Sequence, residues 1–287
     1  MSVGEFERVG VLGCGLMGSG IAEVCARAGA GVVVVEADDG AVAAGRKRLT
    51  ASLEKAVTAG RLDSADKDDA LARISFGTDI EAFSDRQLVI EAVPEIMDLK
   101  LDAFRRIDAV VRAREAILAS NTSSMPIGRI AAATRRPEHV LGVHFFNPVP
   151  VLPLVELVTG LQTSRDTLAR ARAFANGLGK EVIVAKDRAG FVVNALLIPY
   201  VLSAIRMVEA GHASAADIDT GMVAGCAHPM GPLKLADLVG LDTALHVANS
   251  LYEEFKEPHY APPPLLLRMV DAGMLGRKSG RGFYDYT

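Results

Sequence analysis

A glycine-rich segment near the start of the chain constrains the fold more than any other feature. Gly13-Cys14-Gly15-Leu16-Met17-Gly18 follows an apolar run, RVGVL, and precedes a helical pattern, IAEVCARAGA. In a strand–turn–helix unit the first glycine permits a tight turn, the second lets the backbone approach a phosphate, and the third allows close helix packing. The helix N-terminus then faces the anion. The segment therefore predicts the first unit of a doubly wound, mainly parallel sheet that binds a dinucleotide.

A carboxylate at the end of the second predicted strand, VVVVE, favours NAD over NADP. Glu36 lies 18 positions after Gly18, close to the offset of about 20 residues at which an acidic side chain binds the ribose hydroxyls. It would repel a 2′-phosphate, and no arginine follows it before Arg46. The alternative is a structural turn with Glu36 solvated at a strand end. The predicted NAD contacts here are Gly13, Gly15, Leu16, Met17, Gly18 and Glu36.

The order of elements predicts two domains. Short apolar runs alternate with helical patterns in the first part of the chain, which is typical of βαβ units and a parallel sheet. The predicted strands are RVGVL, VVVVE, LVIEA, AILAS, VLGVHF, LVELV and a last one near Val182 to Val184. From Asp187 onward we find helical patterns without strands. We therefore expect a Rossmann-type NAD-binding domain over residues 1–187 and an all-α domain over 188–287.

Composition excludes several classes of protein. The 287 residues include 31 Lys and Arg against 35 Asp and Glu, which gives a net charge of −4. The sequence therefore lacks the excess of basic residues that is typical of proteins that bind nucleic acids or membrane surfaces through general electrostatic attraction. The longest apolar stretch, Phe191 to Ile205, is too short for a membrane helix and predicts a buried helix. Three scattered cysteines exclude a disulfide framework and a cysteine-based metal site. We expect a cytoplasmic protein without a metal.

Polar residues within apolar surroundings mark the candidate chemical site. A serine cluster, Ser120 to Ser124, follows one predicted strand, and His144 lies near the end of the next. Taken singly, a serine cluster after a strand more often forms a helix cap or a turn, and a lone histidine among apolar residues is usually packed in the core. Glu156 is the only charge in LPLVELV, and a buried carboxylate needs a partner. A proline-containing turn between the two strands would bring Glu156 to His144 as a base and its orienter; Asn194, inside GFVVNALL, must also hydrogen-bond.

These segments resemble the 3-hydroxyacyl-CoA dehydrogenase family, and more narrowly its short, single-function (S)-3-hydroxybutyryl-CoA dehydrogenases. The resemblance covers nearly the whole chain. It rests on VGVLGCGLMGSGIA, VIEAVPE, ASNTSS, GVHFFNPVPVLPLVELV, GFVVNALL, HPMGPLKLADLVGLDT and KSGRGFYDY. It implies an NAD-dependent enzyme that interconverts (S)-3-hydroxyacyl-CoA and 3-oxoacyl-CoA at a site between the two domains, and a helical domain that forms a homodimer.

The resemblance also implies roles for individual residues. His144 is implied as the catalytic histidine and Glu156 as its partner, with Ser123 and Asn194 on the substrate. The further implied cofactor contacts are Glu95, Lys100, Asn147 and Lys278. Ser52 is implied at the CoA moiety; family members often carry a lysine where this chain has Ala59, so Lys55 or Arg61 would bind the CoA phosphates.

Two other functions remain open at this point. One is a different dehydrogenase on the same scaffold, such as a sugar-acid 3-dehydrogenase, which would share the dinucleotide loop and HFFNP but would need no CoA contacts. The other is a non-catalytic NAD-binding protein. The four candidate catalytic side chains are intact, which argues against the second.

Overall fold

The structure, a computed structural model, describes residues 3–286. The chain divides into two compact units, Met1–Asp187 and Arg188–Thr287. The first is an α/β unit built on one sheet, and the second is helical. The predicted fold class, a Rossmann-type sheet followed by an all-α part, is confirmed.

The first unit contains an eight-stranded sheet in the order β3-β2-β1-β4-β5-β6-β7-β8. All neighbouring pairs are parallel except β6 and β7, which are antiparallel. The strands are β1 Arg8–Leu12, β2 Gly31–Val35, β3 Ile74–Gly77, β4 Leu88–Glu91, β5 Ile117–Ser120, β6 Val140–Phe145, β7 Leu154–Thr159 and β8 Glu181–Lys186. The central strands β4, β5 and β6 are buried throughout, as strands covered by helices on both faces should be.

Six α-helices of the described residues accompany this sheet. They are α1 Leu16–Arg27, α2 Asp39–Thr58, α3 Ser64–Ala72, α4 Met97–Val110, α5 Ile127–Ala131 and α6 Arg165–Gly177. Polar caps define two of their starts: Asp38 accepts a hydrogen bond from the Ala41 amide before α2, and Ser164 accepts one from the Thr167 amide before α6. Such caps satisfy amides that have no partner within the helix. They therefore fix where each helix begins.

The second unit has its own hydrophobic core, which includes Leu202, Leu233, Leu241 and Leu251. Its helices are α7 Val193–Glu209, α8 Ala215–Cys226, α9 Pro232–Val239, α10 Leu241–Phe255 and α11 Pro264–Asp271. Two buried carboxylates hold parts of this unit together. Asp219 accepts hydrogen bonds from the Leu233 and Lys234 amides at the start of α9, and Asp237 accepts them from the Phe283 and Tyr284 amides. These contacts account structurally for the HPMGP and GRGFYDY segments.

Two expectations about the fold were wrong in detail. The strand β3 was not predicted, because ISFG is short and lies at the sheet edge, where only Ile74 is buried. The stretch from Phe191 to Ile205 forms much of α7, but its outer face is not buried within the chain: Leu196 is 73% exposed. Among the described residues, no helix is long and apolar enough to span a membrane.

Candidate active site

The glycine-rich segment forms the turn between β1 and α1. Gly13 has a φ of +89°, and a Cβ on Gly18 would lie 1.9 Å from the Gly13 carbonyl oxygen, so neither position accepts a side chain without movement. A Cβ on Gly15, in contrast, would meet no heavy atom within 4 Å. Leu16 is exposed and Met17 is half-buried. The backbone at Gly15 therefore borders open space at the N-terminus of α1.

Glu36 follows β2 and contacts this turn directly. Its carboxylate accepts hydrogen bonds from the amides of Cys14 and Ala37. The carbonyl of Cys14 accepts a hydrogen bond from the guanidinium of Arg48, at 2.7 Å. Burial raises the pKa of the Cys14 thiol to about 11, and the charge of Glu36 adds to this rise. The thiol is therefore protonated at neutral pH and packs rather than reacts.

His144 and Glu156 form a buried pair across β6 and β7. The two residues lie directly opposite each other in the antiparallel register. Nδ1 of His144 is 2.7 Å from Oε2 of Glu156, and Glu156 is fully buried. A carboxylate only accepts hydrogen bonds, so Nδ1 of His144 is the protonated ring nitrogen and donates the hydrogen bond to Glu156. This contact fixes the tautomer and orientation of the ring, and the predicted pairing of the two side chains is present.

The segments after β5 and β6 meet at the same edge of the sheet. Asn121 follows β5, and its side-chain oxygen accepts a hydrogen bond from the Phe145 amide at 2.9 Å. Ser123, two residues further on, is half-buried. Because Asn121 holds the end of β6, it sets the position of the strand segment that carries His144.

The connection from β6 to β7 is fixed at both of its faces. Asn147 is exposed and starts this connection. The buried ammonium of Lys180 donates hydrogen bonds to the carbonyls of Val149 and Leu152, at 2.5 and 2.7 Å. On the other side, a Cβ on Gly20 of α1 would lie 2.8 Å from Val149. The connection that joins His144 to Glu156 therefore packs against the helix that follows the glycine-rich turn.

A buried ionic cluster lies beneath the end of β4. Lys100 of α4 is fully buried, and its ammonium lies 2.7 Å from Glu91 and 3.2 Å from Glu95. Glu91 also accepts hydrogen bonds from the Ser120 hydroxyl, at 2.7 Å, and from the Val93 amide, at 2.7 Å. The cluster joins β4, α4 and β5. Lys100 and Glu95, predicted as cofactor contacts, are thus bound to each other, and Lys100 is bound to Glu91 as well.

The remaining candidate residues fall at separate places. Ser52 is half-buried on α2, where burial raises the pKa of the neighbouring Glu23 and a hydrogen bond from Ser52 opposes the rise. Lys55 is exposed on the same helix. Asn194 and Lys278 belong to the helical unit: Asn194 is half-buried in the first turn of α7, and the Lys278 ammonium donates a hydrogen bond to Asp242 at 2.6 Å.

Comparison with known proteins identifies both units. Residues 8–188 match the sequence profile of the 3-hydroxyacyl-CoA dehydrogenase NAD binding domain, and residues 190–286 match that of the 3-hydroxyacyl-CoA dehydrogenase C-terminal domain. The chain belongs to the 3-hydroxyacyl-CoA dehydrogenase family. It is an NAD-dependent enzyme of that family.

Full-length relatives support this membership. The 3-hydroxybutyryl-CoA dehydrogenase of Mycobacterium tuberculosis is 60% identical over 281 residues, which cover 98% of each protein. A probable 3-hydroxybutyryl-CoA dehydrogenase of Bacillus subtilis is 43% identical over 282 residues, again covering 98% of each. The crystal structure of (S)-3-hydroxybutyryl-CoA dehydrogenase from Ralstonia eutropha matches with a TM-score of 0.93 and 47% identity, covering 99% of this chain and 100% of that one.

The residues of the dehydrogenase fit NAD. The exposed backbone at Gly15 leaves room for a pyrophosphate at the start of α1, and Glu36 is held at the end of β2 by two amides of the chain. A carboxylate has about four acceptor positions, so Glu36 can still accept hydrogen bonds from ribose hydroxyls. Glycine loop and carboxylate therefore form one site.

Sequence reasoning missed four residues that support this site. Asn121, Glu91, Lys180 and Arg48 each make a contact with an element distant in the sequence. A signal existed for two of them: Asn121 follows a strand at its carboxyl end, and Glu91 is a charge within an apolar run, as Glu156 is. Nothing in the local sequence of Lys180 or Arg48 distinguishes them from surface cations.

Proposed function

We propose that this dehydrogenase interconverts (S)-3-hydroxybutyryl-CoA and acetoacetyl-CoA, with NAD as the redox partner. The observation that carries the proposal is the buried pair of His144 and Glu156, 2.7 Å apart. The connection between their two strands packs against the first helix of the dinucleotide site. The relatives whose printed name is 3-hydroxybutyryl-CoA dehydrogenase support the choice of substrate.

His144 acts as the acid and base of the reaction. Because Nδ1 is held by Glu156, proton exchange with the substrate falls to Nε2. In the oxidative direction Nε2 accepts the proton of the 3-hydroxyl group, and in reduction it returns a proton to the 3-oxo group. Glu156 stabilises the imidazolium, as the carboxylate does in a Ser-His-Asp triad. NAD supplies the hydride acceptor when it is bound.

The other predicted site residues have positioning and binding roles in this proposal. Ser123 and Asn194 bind the reacting oxygen of the substrate, and Ser52 and Lys55 bind the CoA moiety. Asn147 and Lys278 contact the cofactor side. Lys100 and Glu95 act on the cofactor site through the ionic cluster with Glu91, because the Lys100 ammonium is buried within that cluster.

A comparison of two substrates tests the proposal. NADH oxidation should proceed with acetoacetyl-CoA, whereas free acetoacetate should give a kcat/KM lower by at least about 100-fold, because the CoA moiety supplies binding energy that positions the reacting carbonyl. Longer 3-oxoacyl-CoA compounds define the chain-length preference. Comparable kcat/KM for acetoacetate and acetoacetyl-CoA would instead favour a sugar-acid or other small-substrate dehydrogenase, and NADH binding without turnover of any of these compounds would favour a non-catalytic protein.

We further propose a homodimer formed through the helical unit. Large apolar side chains are exposed on its surface within the chain, including Leu196 at 73%, Leu238 at 49% and Leu267 at 41%. Exposed apolar surface of this kind marks an interaction face, and a symmetric second copy would cover it.

A cytoplasmic location is proposed on the basis of three free cysteines, which suit a reducing compartment.

Sedimentation tests the dimer. The wild-type protein at micromolar concentration should have about twice the 30.3 kDa mass of the chain, and Leu196→Arg should shift it toward the monomer because it places a charge in the apolar face. Leu161→Arg is the matched control, since Leu161 is fully exposed in the first unit and should leave the mass unchanged. A wild-type monomer would contradict the proposal.

A further inference from the structure

Arg48, in the middle of α2, reaches the dinucleotide turn. Its Nη1 donates a hydrogen bond to the Cys14 carbonyl at 2.7 Å, while the amide of the same Cys14 donates one to Glu36. A cation and an anion are therefore attached to the backbone of one residue in the glycine-rich turn. Both therefore contact the turn that precedes α1, and one of them is the carboxylate that is predicted to bind the ribose.

The packing of α2 explains why Arg48 reaches so far. Gly45 is buried against the turn, and a Cβ added there would lie 2.8 Å from the Cys14 sulfur. The missing side chain allows α2 to approach the turn closely. Arg48 is three positions after Gly45 and lies on the same face of the helix. The close approach therefore delivers its guanidinium to the Cys14 carbonyl.

The two charges act in opposite directions on a 2′-phosphate. Glu36 repels this group, which distinguishes NADP from NAD, whereas an arginine near the ribose attracts it. A guanidinium has five N–H donors in a planar fork, so Arg48 can bind an anion while Nη1 stays on Cys14. Arg48 is also exposed, and a phosphate can reach it from solvent.

We propose that Arg48 is a specificity-determining residue that sets how strongly the NAD site rejects the 2′-phosphate of NADP. Glu36 makes NAD the preferred cofactor, and Arg48 reduces the penalty for NADP. When Glu36 is replaced by a small neutral residue, Arg48 becomes the partner of the phosphate. The proposal rests on the NAD site and is independent of the acyl substrate.

Direct titration of NADH and NADPH, followed by nucleotide fluorescence, tests the proposal without any substrate. Wild-type protein should bind NADH at least about tenfold more tightly than NADPH. Glu36→Ser should tighten NADPH binding by about tenfold or more, and Arg48→Met added to it should remove most of that gain. In the wild-type background Arg48→Met should weaken NADPH binding and change NADH binding by less than about threefold, since NADH lacks the phosphate.

Two further variants show whether an effect of Arg48→Met on NADPH binding comes from the guanidinium itself, from a change in the structure or from the loss of any positive charge on α2. Lys47→Met removes a neighbouring exposed cation of α2 and should preserve the gain of Glu36→Ser, while Arg48→Lys should keep part of it. The proposal is overturned if Glu36→Ser tightens NADPH binding equally with and without Arg48. It is also overturned if Lys47→Met removes as much of that gain in NADPH affinity as Arg48→Met does, or if Arg48→Met weakens the binding of NADH and NADPH to the same extent. If Glu36→Ser does not fold, Glu36→Gln takes its place in the same comparison. If the wild-type enzyme does not turn over acetoacetyl-CoA, the proposed substrate is contradicted, but the nucleotide titrations still test the role of Arg48.

Discussion

His144→Ala is expected to lower kcat by about 10²- to 10⁴-fold, the range found when a general acid and base is removed. The affinity for NADH should change by less than about twofold, because the glycine-rich turn follows β1, whereas His144 is on β6, which is separated from β1 in the sheet by β4 and β5. Stopped-flow turnover with acetoacetyl-CoA and a separate NADH titration measure the two quantities. A drop in both would indicate structural damage rather than loss of a proton carrier.

Glu156→Gln should reproduce much of the loss in kcat. The substitution keeps the size of the side chain but removes the charge that stabilises the imidazolium, and its amide can present the wrong group to Nδ1. Because the two residues act as a unit, the double variant should be little slower than either single variant. Additive losses, or near-normal kcat for His144→Ala, would show that His144 is a packed core histidine and that another group carries the proton.

The pairing of His144 with Glu156 could be predicted because the sequence supplies both requirements. Glu156 is a single charge in a buried strand, so it needs a partner, and a short proline-containing connection places the two strands side by side. The same reasoning applied to Glu91 would have indicated a buried partner. Glu91 ends its strand, however, where a charge is equally consistent with a ligand contact, and its partner Lys100 lies on a helix whose rotation the sequence does not define.

Contacts between elements far apart in sequence were beyond prediction for a related reason. Arg48 meets Cys14 only because Gly45 lets α2 pack closely on the turn, and Lys180 meets the β6–β7 connection only because β8 pairs in parallel with β7. Both depend on distances between packed elements. The strands along the chain, in contrast, follow from local patterns, and they were predicted except for β3.

Lys100→Met is expected to lower the free energy of unfolding by about 3–5 kcal/mol, the usual cost of leaving one partner of a buried ion pair without the other. Lys100 and Glu91 are both fully buried. The double variant Glu91→Gln with Lys100→Met should recover much of the loss, since it removes both buried charges. The glutamine oxygen can still accept from the Val93 amide, and its NH2 group can donate to the Ser120 hydroxyl oxygen. Arg106→Met, on the same helix but exposed and 3.9 Å from Asp102, is the matched control and should cost less than about 0.5 kcal/mol.

Urea unfolding followed by circular dichroism and by tyrosine fluorescence locates this effect in one unit. The five tyrosines, Tyr200, Tyr252, Tyr260, Tyr284 and Tyr286, all lie in the helical unit. Fluorescence therefore reports on that unit, whereas circular dichroism reports on both. The loss in Lys100→Met should appear in the part of the dichroism transition that fluorescence does not follow. A cost below about 1 kcal/mol, or a double variant as unstable as Lys100→Met, would show that the charges of Glu91 and Lys100 do not depend on each other and that Glu95 or solvent compensates either one.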